Sequence, residues 1–190
     1  MKAVNQFAPL LIGKDIRANS IVVQAVSDQV TFDGLFSLMF HHERPLAMRA
    51  ADVVERITRK QQEFLTPHKD QLFGALRSVD HKVLKCHIAQ LIPRVDWLPG
   101  ELSEVWHILT YLARNRHERK TVRANALQAL SEIAIQFPER KADLEGTMKV
   151  MQKEPIPSIR TRIKKLTNGI ARNHSGIVVS KAVGLSGYND

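Results

Sequence analysis

The chain is 190 residues long and 21.5 kDa, with 44% apolar and 25% charged residues, a balance that excludes wholesale disorder and collagen-like order. Its single cysteine excludes a disulfide framework, and no apolar run approaches the roughly 18 residues of a membrane span. The formal net charge of +9 points to acidic partners without naming them.

The early run from Phe7 to Ile12 is too short for a secretory core, and no small-residue cleavage site follows it. A cytoplasmic protein is therefore expected. An unpaired helix over about 15–27, with Ile16, Val22, Val23 and Val26 on one stripe, is expected to cap the N-terminal end. Four helical pairs follow, each marked by apolar residues at three- and four-residue steps. The first covers about 29–60, with helices predicted at 29–41 (Leu35, Phe36, Met39) and 44–60 (Ala47, Ala50, Val54, Ile57). The second covers about 66–92, with helices at 66–78 and 81–92; Thr66-Pro67 is expected to cap and start the first of these. The third covers about 99–135, with helices at 99–114 (Leu102, Val105, Trp106, Leu109) and 119–135 (Val122, Ala126, Ala129, Leu130). The fourth covers about 138–168, with helices at 138–152 and 156–168. Residues 1–28 are then a cap, 1–170 a single domain, and 171–190 a Gly- and Ser-rich tail without helical period. No segment alternates with period two long enough to argue a sheet.

The pairs repeat one outline: an apolar residue, a base, then small and apolar residues. The bases are Arg49, Lys85, Arg123 and Arg160, spaced 36, 38 and 37 residues apart. A second echo is His42-Glu43-Arg44, which recurs as His117-Glu118-Arg119 75 residues later. Self-similarity at this period marks stacked supersecondary units, because a helical pair cannot bury both its faces alone.

The segment Val122-Arg123-Ala124-Asn125-Ala126-Leu127-Gln128-Ala129-Leu130 resembles the second helix of a HEAT repeat; Met48-Arg49-Ala50-Ala51 is a fair match and Leu84-Lys85 and Ile159-Arg160 are weaker ones. The resemblance covers about residues 29–168. It implies an all-α fold, a right-handed α-α superhelix (solenoid) of about four HEAT-like hairpins behind the N-terminal cap. It also implies a ladder in which each base pairs with an acid across repeats. The acids are Glu43, Asp80, Glu118 and Glu154, which lie five or six residues before the bases Arg49, Lys85, Arg123 and Arg160. As exposed pairs such rungs contribute only about 0–1 kcal/mol each.

The charge is uneven. Residues 1–113 carry a net +1 and residues 114–172 a net +8. The turn of the third pair supplies Arg114, Arg116, His117, Arg119 and Lys120; the fourth pair supplies Lys149, Lys153, Arg162, Lys164 and Lys165. Equivalent turns of packed repeats lie about 10 Å apart, so these residues are expected to form one basic edge for a partner's carboxylates or phosphates. Aromatic interleaving is absent, since Phe137 is the only aromatic between residues 112 and 187. Trp106 falls on an apolar stripe. Trp97 lies in the Pro93–Pro99 connector and is expected to be the more exposed, while Tyr111 is placed to edge the concave face. Cys86 reads as a small apolar residue of a buried stripe.

No Gly-rich phosphate loop, His-Glu-x-x-His, Cys-x-x-Cys or Gly-x-Ser-x-Gly occurs, and His41-His42 has no third ligand at suitable spacing. No metal, cofactor or catalytic residue is expected. The expected function is a non-enzymatic interaction scaffold that binds a protein or other acidic partner through its concave face and basic edge. The alternative is a DNA-binding protein, similar in architecture to the HEAT-like alkylpurine DNA glycosylases. That family pairs concave tryptophans with a nearby aspartate; here Thr110 stands four residues after Trp106, and Asp96-Trp97 lies in a connector, so no catalytic residue carries over.

Overall fold

The computed structural model describes residues 7–11, 26–79 and 81–169, and the described residues form helices and connectors with no strand. After a helical segment at 7–11 come α1 (Gln29–Leu38), α2 (Arg44–Thr58), α3 (Lys69–Ser78) and α4 (Lys82–Leu91). Then follow α5 (Pro99–Arg114), α6 (Lys120–Gln136), α7 (Lys141–Gln152) and α8 (157–169).

Local chemistry sets these bounds. The Asp28 carboxylate starts α1 by accepting the Thr31 N–H at 2.8 Å. Glu101, in the first turn of α5, accepts the Leu98 N–H at 2.9 Å, and Pro99 fills the first position of that helix. Pro93 ends α4 in a short 3-10 turn, Ile92–Arg94. One expectation changes at α3. Thr66 and Pro67 lie inside a 3-10 helix, Gln62–His68, and the α-helix begins only at Lys69. Pro67 has no N–H to donate to the carbonyl four residues back, so the α-ladder starts beyond it. Likewise α7 begins at Lys141, after a 3-10 turn at Pro138–Arg140.

The helices stack in two layers. Hairpin partners pack on each other (α1 with α2, α3 with α4, α5 with α6), first helices pack along the row α3–α5–α7, and second helices along α2–α4–α6. One core runs through the stack, from Phe7, Leu11 and Phe32 at one end to Ile159, Ile163 and Leu166 at the other. Ala50, Ala51, Ala126 and Ala129 are buried in the second helices, where a small side chain lets neighbouring helices approach closely. This is a helical solenoid in which each hairpin touches its neighbours.

The cap expected over 15–27 falls mostly outside the described residues; Val26 and Ser27, its last two positions, are not helical. The tail from 171 onward and Asp80 also lie outside them. The helical residues 7–11 bury Phe7 and Leu11 in the core.

Candidate functional site

All second helices begin on one edge of the stack, where the turns inside the hairpins lie. The repeated bases sit early in those helices, and two of them, Lys85 and Arg123, cross to the next hairpin. Lys85 Nζ meets Glu118 Oε1 of the next turn at 2.6 Å. Arg123 forms a fork on Glu154, Nη1 to Oε2 at 2.7 Å and Nη2 to Oε1 at 2.6 Å, and its Nε donates to the Ala113 carbonyl at 2.9 Å. One guanidinium thus ties α6 to the end of α5 and to the turn before α8. Its hydrogen bonds hold the Glu154 carboxyl below the usual carboxylate range, against the burial that would raise it. Arg160 Nε donates to the Glu154 carbonyl, and Arg49 Nη1 to the Leu11 carbonyl at 2.7 Å. Glu43 is exposed and makes no ion pair among the described residues.

These rungs are not the exposed pairs the spacing alone suggests. Arg123 is 1% exposed and Glu154 4%, so the pair is desolvated, and removing one partner costs far more than a surface pair.

A second ionic cluster, which no sequence repeat announces, lies where α2 ends. Glu55 is buried and receives Arg59 Nε at 2.9 Å and Arg94 Nη2 at 2.5 Å. Arg94 also donates to the Glu55 carbonyl and to Thr58 Oγ1, both at 2.7 Å. Burial alone would raise the Glu55 carboxyl, but the two arginines outweigh it and hold it low.

The basic residues of the third and fourth hairpins divide into two groups. Arg114 is taken by Thr147 Oγ1 at 2.9 Å, Arg162 by Gln128 Oε1 at 2.9 Å, and Arg116 leans toward Glu154 at 3.8 Å. Arg119, Lys120, Lys149, Lys153, Lys164 and Lys165 are exposed and carry no ion pair among the described residues, and His117 is exposed beside them. The shared Glu154 draws the turns of the two hairpins together. Lys165 shares a helix face with Arg162, which reaches α6, whereas Lys164 lines a hollow of about 530 Å³ with Gln152 and Arg160 at the end of the stack.

The starts of three second helices are unusual. Arg44, Lys82 and Lys120 are the first residues of α2, α4 and α6, and none of the three helices has an acid in its first turn. A cation there opposes the helix dipole at a cost of about 0.3–1 kcal/mol. The three bases stand 38 residues apart, a period visible in the sequence but masked by the stronger signal at Arg49, Lys85 and Arg123.

Trp97 is buried rather than exposed: its Nε1 donates to the Ile92 carbonyl at 2.8 Å and its ring packs on Phe73, which turns the connector inward. Trp106 is buried with the Arg140 guanidinium 5.6 Å above its ring. With both indoles buried, neither offers a face to an extruded base. Tyr111 is exposed on α5, a first helix, near the turn into α6. Cys86 is half-buried, and burial pushes its thiol up. Among the described residues no three His, Cys, Asp or Glu side chains gather where they could hold a metal ion, and no helix is long and apolar enough to cross a membrane.

The HEAT repeat domain family matches residues 12–170 of the chain. The chain is a HEAT-repeat protein. HEAT repeats are generally protein-interaction scaffolds, and the match spans the whole helical stack. Among curated proteins, none matches this HEAT-repeat chain.

Proposed function

We propose that this HEAT-repeat protein is a non-enzymatic scaffold that docks an acidic protein partner on the edge formed by the turns of its hairpins and on the adjoining second helices. The observation that carries the reading is the set of six exposed cations, Arg119, Lys120, Lys149, Lys153, Lys164 and Lys165, gathered on the last two hairpins without an ion pair among the described residues. A solvated surface has no need to concentrate a net +8 on residues 114–172. A protein partner suits the site better than a nucleic acid because, among the described residues, a single exposed aromatic, Tyr111, lies near these cations, and the buried tryptophans add no stacking platform.

The test is capture from lysate with the whole chain as bait, with and without nuclease, beside the variant carrying Lys149→Glu, Lys153→Glu, Lys164→Glu and Lys165→Glu. All four lysines are exposed, so the variant keeps its helicity. The expected result is a partner that survives nuclease and is lost with the variant. Partners held equally by both proteins would make the cations mere surface, and partners lost only with nuclease would make the protein a nucleic-acid binder.

A further inference from the structure

We propose that a groove across the turns of the first three hairpins binds an acidic peptide segment that carries a bulky apolar side chain. The groove encloses about 690 Å³, within the roughly 300–1,000 Å³ of ligand sites. Its rim holds Arg44, Lys82 and Arg119 with His41, His42 and His81, and among the described residues no carboxylate lines it. Of the acids closest in sequence, Asp80 lies outside the described residues, and the other two do not offset this charge. Glu118, next to Arg119, is taken by Lys85, and Glu43, between His42 and Arg44, is exposed outside the lining.

The rim is built to donate. His41 Nδ1 accepts the Glu43 N–H at 3.1 Å and His81 Nδ1 accepts the Leu84 N–H at 3.3 Å. A ring that accepts at Nδ1 carries its proton on Nε2, so each imidazole keeps an N–H donor for a ligand. Two of the rim cations, Arg44 and Lys82, are those placed against the dipoles of α2 and α4, which a bound carboxylate would offset.

The floor is different in kind. Met39, Met48, Val83 and Leu84 line it, and Met48 is 39% exposed although large and apolar. These aliphatic and thioether groups, with the half-buried Phe40 beside them, accept an apolar side chain and adapt to its shape. An apolar floor inside a cationic rim therefore selects a chain with both chemistries, not a bare polyanion.

The inference deepens the scaffold reading and rests on it, but shares only Arg119 with the six cations that carry that reading. The probe is a fluorescein-labelled peptide of about twelve residues with a Leu-Phe pair flanked by Asp and Glu. Its affinity for the whole chain is followed by fluorescence anisotropy. The expected result is saturable binding, at least about tenfold tighter than for the same peptide with Ala-Ala in place of Leu-Phe. Arg44→Glu with Lys82→Glu, both at exposed positions, is expected to weaken it at least about tenfold with helicity unchanged. The Lys149, Lys153, Lys164 and Lys165 reversals are expected to leave peptide affinity within about twofold. No saturable binding, equal binding of the Ala-Ala peptide, or indifference to the double reversal would overturn the proposal. So would tighter binding of a labelled single-stranded DNA of similar charge. A lysate partner that still depends on the far lysines while the peptide fails would overturn the groove and leave the scaffold standing.

Discussion

Arg123 shows how one residue can hold three elements, because its fork on Glu154 and its bond to the Ala113 carbonyl use every face of the guanidinium. Arg123→Ala would leave a buried carboxylate with only the exposed Arg116 at 3.8 Å, and a loss of about 3–5 kcal/mol is expected in urea unfolding. Replacing both partners, Arg123→Met with Glu154→Leu, is expected to recover most of that loss, since no charge is then stranded. A double variant as unstable as Arg123→Ala would show that the destabilisation comes from lost packing. His87 acts in the opposite direction. Burial lowers its basicity below the ordinary 6.5, the charges of Asp52 and Glu55 only partly oppose this, and its Nδ1 is buried without a partner. The unfolded chain therefore takes up a proton before the folded one does, and stability is expected to fall as the pH drops below about 6.5. Glu55 and Glu154 titrate below their ordinary 4.5 when folded, so the stability they contribute is complete above that value and is lost as the pH falls through their folded values. Urea midpoints followed from about pH 7.5 to pH 3.5 should show both declines, and His87→Gln should remove the first and keep the second. A His87→Gln protein with the same decline near pH 6 would place that titration elsewhere.

At the scale of the helix, contacts run between neighbours, so damage should spread by position. Ala126 is fully buried at the centre of α6, between α4 and α5. Ala126→Asp places an unpaired charge there and is expected to unfold the third hairpin with both its neighbours. Ile163 is 4% exposed on α8, the last described helix. Ile163→Asp is expected to release the amides of α7 and α8 to hydrogen exchange while α2 and α4 stay protected. Uniform loss of protection in the Ile163 variant would mean that the stack melts as one unit. The same neighbour rule explains what the sequence discloses. Helices such as α5 and α6 are legible because their burial repeats every three or four residues along a single segment. The rung from Arg123 to Glu154 is suggested by spacing, but its burial is not, since exposure depends on the hairpin stacked beyond it. Trp97 was expected to be exposed because a connector carries no period, and the Ile92 carbonyl that holds its indole is fixed only by the fold of the turn. The groove is harder still to read. Its rim is assembled from residues about 40 apart on three turns, each an unremarkable surface base until the turns are stacked.

For the whole molecule the question is what a net charge of +9 is for. Pairs inside the fold leave that surplus unchanged, since Arg123, Arg94 and Lys85 each meet a buried or half-buried acid, while Arg114 and Arg162 are held by neutral oxygens of Thr147 and Gln128. Among the described residues, six exposed cations on the late hairpins carry no ion pair and are free to meet phosphate. Were all six to contact duplex phosphates, log affinity would fall with log salt at a slope near −5, by counterion release of about 0.9 per contact. A folded acidic protein has no condensed counterions to release, and its rim pairs are worth little once screened, so a shallow slope is expected for the true partner. Measuring that slope for the captured partner and for a random duplex of matched length separates the two. A captured protein should hold its affinity from about 50 to 200 mM salt while the duplex loses about three decades or more. A partner whose affinity collapses in parallel with the duplex would move the function of this scaffold to nucleic acid.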